Sequence, residues 1–200
     1  MAAGDLCSLA EVRSFLQKTG GDTAQDTIIQ SLITRASAAI SRHAERQFAP
    51  TETATTHTFE HEFNRDGFVD LAPYDLRTVT SVQIDTDTGT AGTLGTSEWR
   101  LFPQPPADGV YTAIRLVPTT RGGWSRFRHV QIQITGDWGF AAVPEDVKHC
   151  AIVTTAIWLR RDVAAFSSTF KLDEDRVERP EGLPSSVRAT LASWRRIGAG

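Results

Sequence analysis

Apolar residues recur along this chain with two different periods, and the switches between them divide it into three sections. Residues 5–48 carry the helical period. Ser8 followed by Glu11 is a capping-box pattern, in which hydroxyl and carboxylate each satisfy an exposed backbone N–H at a helix start. Behind it, Leu9, Val12, Phe15 and Leu16 share one side of a short helix that stops at Gly20-Gly21. A longer helix is expected from Thr23 to Arg46, with Ile28, Ile29, Leu32, Ile33, Ala36, Ala39 and Ile40 as its apolar stripe and Arg35, Arg42 and Arg46 opposite. Burying each Ile or Leu is worth roughly 1.5–3 kcal/mol, so that stripe must meet a partner surface.

From residue 50 to 135 the period falls to two. Thr55, His57, Phe59, His61 and Phe63 alternate with their neighbours, and short strands are expected at Phe68–Leu71, Val79–Ile84, Glu98–Phe102, Val110–Val117 and Val130–Thr135. Turn chemistry separates them at Arg65-Asp66-Gly67, in the Thr/Gly run 85–97, from Pro103 to Gly109 and at Arg121-Gly122-Gly123. The run 85–97 has little apolar surface to bury and reads as a mobile loop. Gly136-Asp137-Trp138-Gly139 then breaks the last strand, and a buried helix is expected from Pro144 to Arg161, with Pro144 at its first position. Glu145 and Asp146 suit the positive end of the helix dipole, and Arg160 and Arg161 suit a last turn. A polar linker and a terminal helix from Pro184 follow. That helix spaces Val187, Leu191 and Trp194 by one and two turns and is too short to stand alone, so it must dock on its own bundle or on another protein.

The expected fold is α+β: a small helical bundle from residues 1–49 and 141–200 with an antiparallel β sheet or barrel, residues 50–140, inserted into it.

Composition narrows the functional classes. Two hundred residues with 40% hydrophobic and 22% charged content suit an ordinary soluble protein with a proper core. A net charge of −3 argues against a dedicated nucleic-acid-binding domain. No apolar run approaches the ~18 residues of a membrane span, and the N-terminus lacks the pattern of a signal peptide. Cys7 and Cys150 lie far apart and imply neither a disulfide framework nor a zinc knuckle, which fits a reducing compartment.

Reactive motifs are few. His57, Glu60 and His61 spell an inverted zinc-protease signature, the basis for an alternative reading as a zinc-dependent hydrolase. That chemistry needs both histidines one helical turn apart. In a strand they share a face but sit about 13 Å apart at ~3.3 Å per residue, too far for one ion. Asp85, Asp87 and Gly89 fail the EF-hand pattern at its later positions. Neither a G-x-S-x-G elbow, a P-loop nor a G-x-G-x-x-G is present. Thr120–Arg128 mixes Arg121, Arg126 and Arg128 with Trp124 and Phe127; at a β-hairpin tip this reads first as structural, next as a subunit contact and last as a grip on nucleic acid.

Three motifs in order resemble the phage head–tail connector, or adaptor, family. They are the DLCSLAEVRSFL helix with the longer helix behind it, closing on Arg46 and Phe48; the LAPYDLRTVTSVQID turn and strand with Val79, Ser81 and Val82; and the Gly-Trp-Gly turn leading through Val-Pro-x-Asp-Val-Lys into an Ala-rich helix. The resemblance spans most of residues 5–161. It implies a structural virion protein without catalysis, cofactor or metal, at the head–tail junction of a tailed phage or gene transfer particle, assembled in the bacterial host cytoplasm. It further implies a ring of probably twelve copies beneath the portal protein, extending the DNA channel and carrying a stopper or tail protein, with no membrane contact and no sequence-specific hold on the packaged DNA. A tail-completion or terminator protein is the alternative within the same assembly class. Residues expected at portal or subunit contacts are Val187, Leu191, Trp194, Arg195, Arg196, Arg35, Arg42 and Trp124, and removing everything from Leu183 onward is expected to leave the remainder folded.

Overall fold

The computed structural model describes residues 4–17, 25–49, 51–62, 67–86, 92–104, 108–117, 129–167 and 182–196. The chain divides into a helical unit, Met1–Pro50 with Val143–Arg195, and a β unit, Thr51–Ala142 with Arg196–Gly200. Helices and two antiparallel sheets make the fold α+β, as the change of hydrophobic period predicts.

In the helical unit, α1 (Leu9–Phe15) starts at the expected capping box. The Ser8 hydroxyl accepts from the Glu11 N–H at 3.2 Å, and the Glu11 carboxylate accepts from the Ser8 N–H at 2.7 Å. The stripe of α2 (Asp26–Ala44) is buried at Ile29, Leu32, Ile33, Ala36 and Ile40. Two residues expected on buried faces point to solvent instead, Phe15 at 48% and Ile28 at 47% exposure. Ile28 stands seven and fourteen residues before the exposed Arg35 and Arg42, so it shares their side of α2, while its neighbour Ile29 faces the core. A polar clamp seats the N-terminal segment on α2. The buried Asp5 carboxylate accepts from Gln30 at 2.8 Å and Thr34 at 2.9 Å, and the Leu6 N–H donates to the Ser37 hydroxyl.

Against α2 lies α3 (Glu145–Ser167), burying Val147, Cys150, Ala151, Ala156 and Leu159. Pro144 stands one position earlier than expected, since its carbonyl already accepts from the Lys148 N–H and the helix proper starts at Glu145. The helix also runs past Arg161 to Ser167, so Arg160 and Arg161 are interior helical residues rather than a last turn. A pair of cations favours a helix end but cannot create one without a breaker such as Gly or Pro behind it. α4 (Ser185–Leu191) and the 3-10 turn Ala192–Trp194 close the unit, with Leu183, Val187 and Leu191 buried.

The β unit holds a four-stranded sheet ordered β1-β7-β3-β4 and a three-stranded sheet ordered β2-β6-β5. The strands are β1 (Glu52–Glu62), β2 (Phe68–Asp70), β3 (Leu76–Thr86), β4 (Gly92–Thr93), β5 (Trp99–Phe102), β6 (Ala113–Leu116) and β7 (His129–Trp138). Their inner faces share one core, including Phe59, Val69, Leu76, Ile84, Ile114, Ile132, Ile134 and Trp138. Gly136 does not break β7. It pairs within the strand, and a Cβ there would come 2.1 Å from the Thr78 carbonyl oxygen, so glycine serves close backbone approach at a register shift. Two further residues carry β7 to Trp138, whose indole N–H donates to the Thr55 carbonyl at 2.9 Å. Of the Thr/Gly run expected as a loop, 85–86 belong to β3 and 92–93 to β4, while 87–91 lie outside the described residues.

Candidate assembly interface

The outer side of α2 carries Ile28, Arg35 and Arg42, each exposed. Seven residues are two helical turns with a drift of only ~20°, so the three side chains form one line along the helix. The Arg35 guanidinium lies 5.6 Å above the ring of the half-buried Trp158 on α3. Trp and Arg are the residues most enriched at interface hot spots, because each joins apolar area to directional bonding. That Arg35 and Arg42 share a side was readable from their seven-residue spacing, but Ile28, expected in the buried stripe opposite them, joins their line only in the structure. Trp158 was not readable either, because only the packing of α3 on α2 brings it beside Arg35.

The terminal residues take different positions. Val187 and Leu191 are 3% and 0% exposed, so of the two docking surfaces open to that stripe, the chain's own bundle covers it. Removing residues 183–200 would therefore strip Leu183, Val187 and Leu191 out of the core, and the expectation that the remainder stays folded is corrected. Trp194 is half-buried, edge-on to Phe48 at 6.0 Å, and Arg195 is exposed in a 3.1 Å ion pair with Glu45. Arg196 belongs to the β unit, its side chain only 3% exposed. There it pairs with Asp70 at 2.7 Å and the buried Asp75 at 3.6 Å, and donates to the Tyr74 carbonyl at 3.0 Å and to the Thr112 carbonyl. The guanidinium's charge is answered by carboxylates of its own chain, which leaves Arg35, Arg42, Trp194 and Arg195 as the surface-accessible members of the expected set. Trp124 lies outside the described residues.

Reactive chemistry finds no assembled site among the described residues. β1 is a strand, so Glu60 points away from the face that carries His57. His57 is instead a packing residue, its ring stacked on Tyr74 at 3.9 Å, edge-on to Trp138 at 4.8 Å, and its Nε2 2.6 Å from the Glu52 carboxylate. No group of three His, Cys, Asp or Glu among the described residues could hold a metal ion. Burial pushes the Cys7 thiol up to about 12, helped by the nearby Glu11 and Asp5 carboxylates, and burial raises Cys150 as well. A nucleophilic cysteine needs the opposite shift.

The outer face of the larger sheet is a polar grid that only the register reveals. Thr56, Thr135 and Ser81 form one row across β1, β7 and β3; Thr58, Gln133 and Gln83 the next, continued by Thr93; Glu60, Gln131 and Asp85 the third. None of these three rows holds a Lys or Arg, so none of them offers a cation to pair with phosphates.

A family model described as head completion protein matches residues 5–197. No curated protein matches the chain. Among solved structures, the fold resembles a chain in the neck of an empty GTA particle, computed with C6 symmetry, at 22% identity over 98% of this chain and 94% of that one, TM-score 0.55. It also resembles a chain in the virion of a native gene transfer agent particle, at 19% identity with the same coverage and a TM-score of 0.59.

Proposed function

The chain belongs to the head completion protein family, and from that premise we propose that it is a head–tail adaptor forming a ring under the portal of a tailed phage or gene transfer particle. The observation that carries this reading is coverage. The likeness to particle neck and virion chains runs over 98% of this chain and 94% of theirs, so both units take part in it and not a shared helical bundle alone. A closed ring needs two different complementary surfaces on each subunit. The line Ile28–Arg35–Arg42 with Trp158 supplies one of these, and Trp194 with Arg195 contributes to a separate surface that faces the portal. About twelve copies would extend the DNA channel and present a platform for a stopper or tail protein, with the DNA passing without sequence-specific contact.

Coexpression with the portal protein encoded nearby tests this. Rings bearing both proteins, seen by electron microscopy, are the expected result, and a chain that stays strictly separate from the portal defeats the proposal. Arg35→Glu with Arg42→Glu should abolish ring formation while the chain stays folded, its unfolding midpoint lowered only modestly by loss of the Arg35–Trp158 contact and of a cation in the last turn of α2. Rings that form as well as before would place the subunit contact elsewhere.

A further inference from the structure

We propose that β1 is a strand acceptor, and that in the assembled particle its open edge is filled by a basic, extended segment of a different particle protein; this rests on the ring reading above. β1 is an outer strand of the larger sheet, paired with β7 on one side only among the described residues. Its pairing runs without a slip from Thr55 to Glu62, after a register shift near Glu52 where Ala54 takes a left-handed φ of 51°. Eleven residues at ~3.3 Å each give an edge of about 35 Å, and alternate residues turn N–H and C=O groups outward along it. The other outer strands, β2, β4 and β5, have three, two and four residues. Soluble proteins normally blunt a long edge with charged side chains, lysine above all, with proline or with a central bulge. β1 contains no lysine and no proline, and its irregularity sits at one end.

Charge selects the occupant. β1 carries Glu52, Glu60 and Glu62 and no Arg or Lys. Glu52 is answered by His57, but the exposed Glu60 shares its cross-strand row with Asp85, one of whose carboxylate oxygens is buried without a hydrogen-bond partner. A strand laid on this edge gains most if it brings Lys or Arg opposite Glu60. A second copy's β1 would set an acidic strand against itself, and such a twofold contact ends at a dimer rather than propagating round a ring. The opposite edge of the same sheet, at Gly92–Thr93, is too short to receive it.

Hydrogen exchange read by mass spectrometry on the free full-length chain and on particles purified from the producing strain tests this. Peptides covering Glu52–Glu62 should lose their fast exchange in the particle. Glu60→Lys should unfold at the wild-type midpoint yet be retained about threefold less per particle, the size of one cross-strand charge pair, with Glu60→Gln between the two. Carbodiimide should join Glu60 to a lysine of another particle protein. A link between two copies of this chain, through Lys18, Lys148 or Lys171, the only lysines it has, would show a second copy on the edge and overturn the assignment. Particles that contain the chain while β1 exchanges as fast as in the free protein overturn the inference and leave the ring reading standing. Particles without the chain overturn both.

Discussion

Single residues show how differently the same side chain is used along this chain. Arg35 and Arg42 are exposed on α2, Arg195 holds a solvent-facing pair worth little, and Arg196 is buried with two carboxylates and two carbonyls. Arg196→Ala should therefore cost about 3 kcal/mol in chemical unfolding, the low end for breaking a buried pair because Asp70 is 42% exposed. Arg195→Ala should be within experimental error of wild type. Leu191→Ala, at a fully buried position, should cost about 2–5 kcal/mol. Cys7 makes a pH prediction. Its thiol is raised from the ordinary 9.0 to about 12 in the folded chain, so between those values the unfolded state releases a proton that the folded state keeps. Stability is then full below pH 9 and falls as pH rises, by up to about 1.4 kcal/mol per pH unit. Cys7→Ala, compared with wild type in unfolding curves from pH 8 to 10.5, should flatten that fall, and an unchanged slope would assign it to other groups. At pH 8 the thiol should react with a maleimide only on unfolding.

At the scale of elements, start signals were more legible than stop signals. The Ser8–Glu11 box is readable because both partners are local, and Ser8→Ala should cost about 1 kcal/mol by thermal unfolding. Protonating Glu11 should act in the same direction. Hydrogen bonds from Ser8 hold its carboxyl below the usual range, so the stability it contributes is present above pH 4.5 and lost as pH falls through the lowered value. The strands were equally legible where apolar residues alternate, as at Ile132 and Ile134. Gly136 and Arg160–Arg161 misled for one reason. A glycine reads as a breaker and a cation pair as an ending only when nothing distant needs that position. Here the close approach of Thr78 requires the glycine, and α3 continues beyond both arginines.

For the molecule as a whole, the expectation concerns DNA. A net charge of −3 and a sheet face of Thr, Gln, Ser, Glu60 and Asp85 give little hold on a polyanion. The free chain should pass through DNA-cellulose unretained at about 0.15 M salt, where surface charges are screened beyond ~8 Å. Retention at that salt would point to a nucleic-acid-binding role instead.

The residues alone determined the α+β class, the places where helical and strand periods change, the capped start of α1 and the order of motifs that marks an adaptor-like chain. Those signals are local, or they repeat with a period that one strand of sequence can display. Which apolar residues are left outside, as Phe15 and Ile28 are, was decided only in three dimensions. So were the burial of Arg196, the pairing of Arg35 with Trp158, the polar rows across three strands and the position of β1 at the outside of its sheet among the described residues. Each depends on residues tens of positions apart meeting at a fixed register, and no single stretch of sequence carries that register.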